Sequence, residues 1–307
     1  MYKYVILVLF ILIVLVLGLK NYYYSVIDKY FRNNDMIVYD YFIKYYIHAV
    51  SANNYFMNYG LWDNKITNLK QANKNLCDFI FSKAELNLTD DFSILDVGCG
   101  YGMQDLLWCN KISKSSTITA IDISKTQIDY ANNIRRKKGI SKKCLTFIEC
   151  DAHQLLNKFE CSKFNKIISL ESAFHYKDRP LFFNNVSKLL TNDGTFVISD
   201  IVLNNAYKPS IITDLFIKLA SDFLYIPQQN LIKLKKWKKQ IKKSNLQILE
   251  IHDITDRTFI PYYIFFIEKY CEKKNLSIFI LNFLKYILVN IQPFSYVIAV
   301  CKSTNNA

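Results

Sequence analysis

The sequence predicts an α/β fold, a seven-stranded, mostly parallel sheet with helices on both faces. Three observations carry that prediction. From Ser93 onward, short β-branched runs alternate with helical stretches. The first run, Ile94-Leu95-Asp96-Val97, ends in three alternate glycines, Gly98, Gly100 and Gly102, and the next two runs end in carboxylates. A chain of 307 residues and 51% apolar composition can bury one substantial core with a smaller cap. Its 22 Tyr and 22 Phe against 7 Gly and 5 Pro exclude a disordered chain.

Taken in order, the first element is the uncharged run Tyr4 to Leu19, close to the ~20 apolar residues of a membrane helix. Residues 1–20 read as an N-terminal transmembrane anchor. A secretory signal is the rival reading, but no small-x-small cleavage site precedes Tyr22-Tyr23-Tyr24, and tyrosines suit a membrane boundary. Lys20, Lys29 and Arg32 against Lys3 place the body on the cytoplasmic side, as a single-pass membrane protein. Residues 21–75 lack strand-like alternation and predict two or three short helices, so 21–90 is expected to form a helical lid. Strands follow near Ser93–Val97, Thr117–Ile121, Leu145–Glu149, Lys166–Leu170 and Thr195–Ser199, each of the first four followed by a helix, as at Lys125–Lys138 and Leu181–Leu190. Two more fit Gln247–His252 and Tyr296–Cys301. The domain spans 91–307, with cap insertions at about 202–245 and 258–290; within the latter, Ile278–Ile291 suits a buried or membrane-resting helix.

The net charge of +13 invites a nucleic-acid reading, but its excess lies mainly after residue 200, in Lys233 to Lys243, away from the glycine-rich strand end. Nucleic acid is therefore disfavoured as a partner. The Lys233–Lys243 run reads either as a solvated helix or as a basic helix resting on anionic headgroups. The eight Cys form no C-x-x-C pair, and no His stands at ligand spacing, which suits reduced thiols and supports neither a metal site nor a disulfide framework.

The glycine turn defines the chemistry. A strand ending in alternate glycines lets the backbone approach a ligand at the carboxyl edge of the sheet. Met103 follows Gly102, so the third glycine spacing of a dinucleotide fingerprint is missing, and no phosphate-binding lysine follows. Asp122 closes the second strand, where a carboxylate can hold both hydroxyls of a ribose. Asp151, with Ala152, closes the third, where it can accept from an adenine amino group. An Asp at one strand end is often only a helix cap. Three in order at matching strand ends suit an adenosyl ligand.

Residues from about Tyr55 to Asp200 resemble the class I methyltransferases that use S-adenosylmethionine (SAM), in the small-molecule and lipid branch. That branch includes sugar and macrolide O-methyltransferases, sterol and tocopherol C-methyltransferases and quinone methyltransferases. Beyond the glycine turn, the segment Ser169 to Arg179 (SLESAFHYKDR) resembles the stretch after the fourth strand of that branch. Leu189 to Thr195 is similar to its R-V-L-K-P-G-G turn, with Asn192 and Asp193 where Lys-Pro is usual. Leu246 to Thr258 resembles its late G-F-x-V-x-x-x-D-I-T strand. Tyr59-Gly60-Leu61-Trp62 looks like an H-Y-G-x-W element with Asn58 in place of the His.

The resemblance implies a Rossmann-like sheet and SAM as cofactor. It implies a cofactor site of Tyr59, Trp62, Asp96, Gly98, Cys99, Gly100, Asp122, Ile123, Gln127, Asp151, Ala152 and Glu171, with Asp96 near the cationic methionine end. Tyr59 and Trp62 would lie over the sulfonium, which aromatic faces attract; core packing of a lid is the other reading. His175, just past the fourth strand, is the candidate general base, with Glu171 beside it as a second catalytic carboxylate. Asp178 and Arg179 suit a local ion pair. The F-E-H-F-G of cyclopropane synthases and the N-P-P-Y of base methyltransferases are both missing, which leaves a small acceptor. The anchor and the aromatic segment Phe259 to Phe266 make it lipophilic: a lipid, sterol, quinone or similar. A non-catalytic SAM-binding protein of the same fold, and a protein or nucleic-acid methyltransferase, remain as alternatives.

Overall fold

Residues 54–274 and 293–304 are described by a computed structural model. The seven strands are β1 (Ser93–Val97), β2 (Thr117–Asp122), β3 (Leu145–Glu149), β4 (Phe164–Ser169), β5 (Leu190–Leu203), β6 (Leu246–Asp253) and β7 (Phe294–Ser303). They form one sheet in the order β3-β2-β1-β4-β5-β7-β6. All pairings from β3 across to β5 are parallel, while β7 runs antiparallel to both β5 and β6. The carboxyl ends of β1 to β5 thus share one edge, and β7 starts at that edge.

The strand residues explain why this sheet needs cover on both sides. Ile94, Ile118, Ala120, Ile168 and Val197 lie in one buried cluster, and their neighbours Leu95, Ile121, Ile167, Phe196 and Ile198 in the other. Successive side chains of a strand face opposite ways, so apolar residues at adjacent positions require two covering layers. On the first face lie α1 (Leu69–Lys83), α2 (Met103–Trp108) and α3 (Lys125–Lys137), contributing Leu76, Ile80, Trp108 and Ile128. On the second lie α4 (Leu155–Lys158), α5 (Arg179–Leu189) and α7 (Leu234–Lys243), contributing Leu155, Phe182, Phe183, Trp237 and Ile241. The helices α6 (Ile211–Phe223) and α8 (Phe259–Lys274) fall within the segments expected as a cap.

Local chemistry sets the helix ends. Asn68 caps α1 by accepting from the Gln71 N–H, Ser124 caps α3 through the Gln127 N–H, and Ser210 and Thr213 form a capping box on α6. In α7, Trp237 and Ile241 are fully buried, one turn apart, and that stripe holds a lysine-rich helix on the sheet.

Several expectations are corrected. No helix among the described residues is long and apolar enough to cross a membrane, which overturns the expectation of a single-pass membrane protein with a cytoplasmic catalytic domain. The run Tyr4 to Leu19 lies outside the described residues, as do residues 21–53 of the lid and the stretch 278–291. Of the lid, residues 54–68 contain no helix and run as irregular chain into α1. β5 is 14 residues long rather than five, because its second half continues along β7 from Thr195 to Leu203. Cys109 and Cys144 form a disulfide, where sequence spacing suggested only reduced thiols: they stand 35 residues apart, at the end of α2 and the start of β3.

Candidate active site at the carboxyl edge

The glycine turn joins β1 to α2. Gly98, Gly100 and Gly102 all have positive φ, at 86°, 57° and 70°. At Gly98 the constraint is also spatial: an added Cβ would lie 2.2 Å from Ser172 Cβ. Ser172 is close because its hydroxyl donates to the Val97 carbonyl at 2.7 Å and in turn accepts from Tyr176 Oη at 2.9 Å. The loop after β4 is therefore fastened to the glycine turn, a link that no sequence motif announced.

Asp122 receives the N–H of Gly100 at 2.9 Å on one oxygen and that of Ser124 at 2.9 Å on the other. This bond positions the glycine turn against the end of β2. Ile123, next in sequence, is 50% exposed at the same edge. A large apolar side chain left in water beside a carboxylate suits the face of a planar heterocycle. Asp151 caps the short turn Ala152–Gln154, its Oδ1 accepting from the His153 N–H at 2.8 Å and from His153 Nδ1 at 2.7 Å. His153 Nε2 accepts from the Asp178 N–H, so Nδ1 is the protonated nitrogen. Asp151 thus serves as a cap through Oδ1.

Gln127 is buried with Nε2 unpartnered, while its Oε1 lies 3.3 Å from where a Gly100 Cβ would stand. That amide is an orphan donor beside the turn. Cys99 is buried, and its thiol is raised well above the usual range, burial first and the carboxylates Asp105, Asp122 and Asp96 next. Asp96 is fully buried at the end of β1 and accepts from Gln104 Nε2 at 2.8 Å.

The second half of the site converges from distant parts of the chain. Glu171, after β4, holds a left-handed backbone with φ 53°, and its N–H donates to Ser199 Oγ at 2.8 Å. Non-glycine residues in that region are strained and concentrate at functional sites. Its Oε1 accepts from the Tyr59 N–H at 2.8 Å and from Tyr296 Oη at 2.8 Å, so both bonds fall on one oxygen. Burial pushes the Glu171 carboxyl up to about 8, against the pull of those two donors. The Tyr59 ring stands edge-on to Phe259 and Tyr262, with centroids 4.9 and 4.8 Å away, and Tyr263 and Tyr296 lie within 6.5 Å.

His175 Nδ1 meets the Tyr225 carbonyl at 3.2 Å. A carbonyl only accepts, so Nδ1 carries the proton and Nε2 the lone pair. Burial lowers this imidazole to about 4, which keeps it neutral through the physiological range. Trp62 joins a different group of residues: its indole donates to the Tyr59 carbonyl at 2.9 Å and its ring lies 5.3 Å from Phe265. Asn58, standing where the His of the resembled element would be, bonds Asn73 and Cys77 and ties the segment to α1.

One expected pair is replaced. Asp178 caps α5, and Arg179 turns into the core, where Nη1 donates to Asp200 Oδ2 at 2.9 Å with both side chains fully buried. Trp237 Nε1 donates to the same oxygen at 2.6 Å. Adjacent residues on a helix start point in different directions, so Asp178 and Arg179 cannot share a partner as well as these can. Tyr296, Ser172, Gln104 and Asp105 are the site residues that sequence reasoning missed. Tyr296 is 125 positions from Glu171, and nothing local marks it.

A parallel sheet with a glycine turn at β1 and carboxylates at β2 and β3 defines a nucleoside-binding α/β protein. The chain belongs to a family described as the methyltransferase domain, whose family model matches residues 88–250, more than half its length. It is a class I SAM-dependent methyltransferase of the small-molecule branch, and its cofactor is SAM. It is 27% identical to erythromycin 3''-O-methyltransferase of Saccharopolyspora erythraea over 72% of each chain. It is 24% identical to a sterol 24-C-methyltransferase of Aspergillus fumigatus over 58% of this chain and 46% of that one. Its fold matches a geranyl diphosphate C-methyltransferase of Streptomyces coelicolor, solved with Mg2+, geranyl diphosphate and S-adenosylhomocysteine. That match has a TM-score of 0.65 at 18% identity and covers 86% of this chain and 98% of the other.

The residues present fit this cofactor. The turn leaves no room for a Cβ at Gly98, the Gln127 amide is an orphan donor, and Ile123 offers an exposed apolar face. Among the described residues no group of His, Cys, Asp and Glu is arranged to hold a metal.

Proposed function

We propose that the chain transfers the methyl group of SAM to a small lipophilic acceptor lying between Glu171 and the aromatic group of Tyr59, Phe259, Tyr262 and Tyr263. The observation that carries this reading is Glu171 itself, strained, half-buried, doubly bonded on Oε1 and with Oε2 left for a ligand. When bound, SAM supplies a methyl group on a sulfonium, which leaves as a neutral thioether. The glycine turn and Asp122 orient the nucleoside, Ile123 and Asp151 take the base, and the Gln127 amide donates to a cofactor oxygen. Residues 54–62 act as a lid, strapped at one side by Tyr55 stacking on Tyr130 at 4.4 Å and at the other by the Tyr59 bond to Glu171. The lid and the rings exclude water, which an in-line displacement needs.

Where the acceptor is a hydroxyl, its proton passes to Glu171. A base works best with its pKa near the working pH, and the Glu171 value of about 8 suits that better than the value of about 4 for His175. His175 shapes the acceptor wall as a neutral ring. The lipophilic character rests on the aromatic lining and on relatives named for a sterol and a macrolide. Radiolabelled SAM incubated with lipid and small-molecule extracts should label an organic-soluble product, and Asp122→Ala should abolish it. Label confined to macromolecules would overturn the reading.

A further inference from the structure

Beneath the glycine turn lie two carboxyl groups with no cation beside them among the described residues. Asp96 closes β1, Asp105 sits in the first turn of α2, and both are fully buried. Gln104 satisfies Asp96 Oδ2, but Asp96 Oδ1 and both oxygens of Asp105 receive no N–H or O–H from any other group. Three unsatisfied buried carboxylate oxygens are strongly destabilising, and a carboxyl proton bridging the two residues pairs two of the three. The surroundings supply no alternative. The groups facing the pair are Asp122 from β2, the thiols of Cys77 on α1 and Cys99 in the turn, and the Tyr176 phenol from the β4 loop. None of them is a cation, so each carboxyl raises the cost of ionising the other.

We propose that SAM binding drives this pair into a singly protonated state, in which the Asp105 carboxyl donates to an ionised Asp96, and that one proton is released to solvent. The inference rests on the reading of Gly98 to Gly102 as the cofactor turn. The Asp96 O–H bond breaks, its proton passes to the buffer, and the charge left on Asp96 offsets the positive methionine end of the cofactor. Burial holds Asp105 well above the usual carboxylate range and pushes Asp96 up to about 7, so near neutrality the pair is poised to lose the first proton and keep the second. Linkage is reciprocal: a cation that favours the ionised form binds more tightly once the proton is gone.

Calorimetric titration of the whole chain with SAM, in phosphate and in Tris at pH 7, counts the protons released. The wild type should release about half a proton more than Asp105→Asn, whose amide donates to Asp96 with no proton to lose. From pH 6 to 8 the wild-type affinity should rise about tenfold more than that of the variant. The α-amino group of SAM titrates with both proteins, so only their difference reports on the pair. Equal proton counts would overturn the proposal. Should Asp105→Asn fail to fold, infrared difference spectra of the wild type decide: SAM should bleach the stretch of a buried protonated carboxyl, and an unchanged band refutes the idea. Failure to bind SAM at either pH sinks the site reading itself, whereas binding without proton release sinks only this inference.

Discussion

The ends of β1, β2 and β3 and the loop after β4 lie along one edge of one sheet, yet the two halves of the site are built differently. On the proposed cofactor side, the parts are backbone turns and carboxylates within a few residues of each strand end: Gly98, Gly100, Asp122 and Asp151. On the proposed acceptor side, Glu171 is held by Tyr59 from residues 54–62, Tyr296 from β7 and Ser199 from β5, with the rings of α8 around them. The first half depends on strand register and on the one Ser172 bond that fastens the β4 loop to the turn. The second depends on four segments packing together, so changes there should alter chemistry and specificity while cofactor binding survives.

That difference can be broken most severely at Arg179. Its buried pairing with Asp200 anchors the start of α5, next to the acceptor loop, and Arg179→Ala leaves a carboxylate uncompensated in the core. A loss of about 3–5 kcal/mol is expected, read as a lowered denaturant midpoint. Gly98→Ala comes next. It combines a left-handed backbone with a collision against Ser172, each worth about 1–3 kcal/mol. SAM affinity should fall by roughly 100-fold or more, whereas Gly139→Ala, with φ 66° but open space around it, should leave SAM binding unchanged.

Glu171→Gln tests the other half. It should lower kcat by roughly 100-fold while SAM affinity stays within about threefold, and an equal loss in both would erase the proposed division of labour. The wild-type rate should climb with pH through about 8, where Glu171 is half ionised, and level off only above it, and the Gln variant should lack that limb.

Stability carries the matching signs. Glu171 is raised from 4.5, so the folded state keeps a proton that the unfolded state has lost, and this contribution declines as pH rises towards 8. His175 is lowered from 6.5 to about 4, so its neutral burial costs more as pH falls through 6.5 towards 4. Chemical denaturation of wild type, Glu171→Gln and His175→Gln across that range separates the two. The smallest effect is expected from Tyr296→Phe. Removing that donor destabilises the carboxylate form by about 1 kcal/mol and moves the rate limb upward by under one pH unit.

The same contrast explains which parts of the molecule were legible in advance. The strands were readable because short β-branched runs recur between helical stretches, and the glycine turn was readable because positive φ at three alternate positions demands one residue type. The length of β5 was not, since only pairing with β7 shows that Asp200 to Leu203 continue the strand. Arg179 misled for a related reason. Next to Asp178 it resembles half of a surface pair, and only the packing of α7 shows Trp237 and Asp200 waiting beneath it. Glu171 was marked by its place after the fourth strand, but neither its strained backbone nor its donors were.

By itself, the sequence determined the α/β class, the order of the elements and the glycine turn at the end of the first strand, because each follows from interactions within a few residues of a strand end. Only the tertiary structure decided what Glu171, Asp96 and Asp105 are. Their protonation depends on burial and on which donors reach them, and those donors arrive from segments that the chain brings together only when folded.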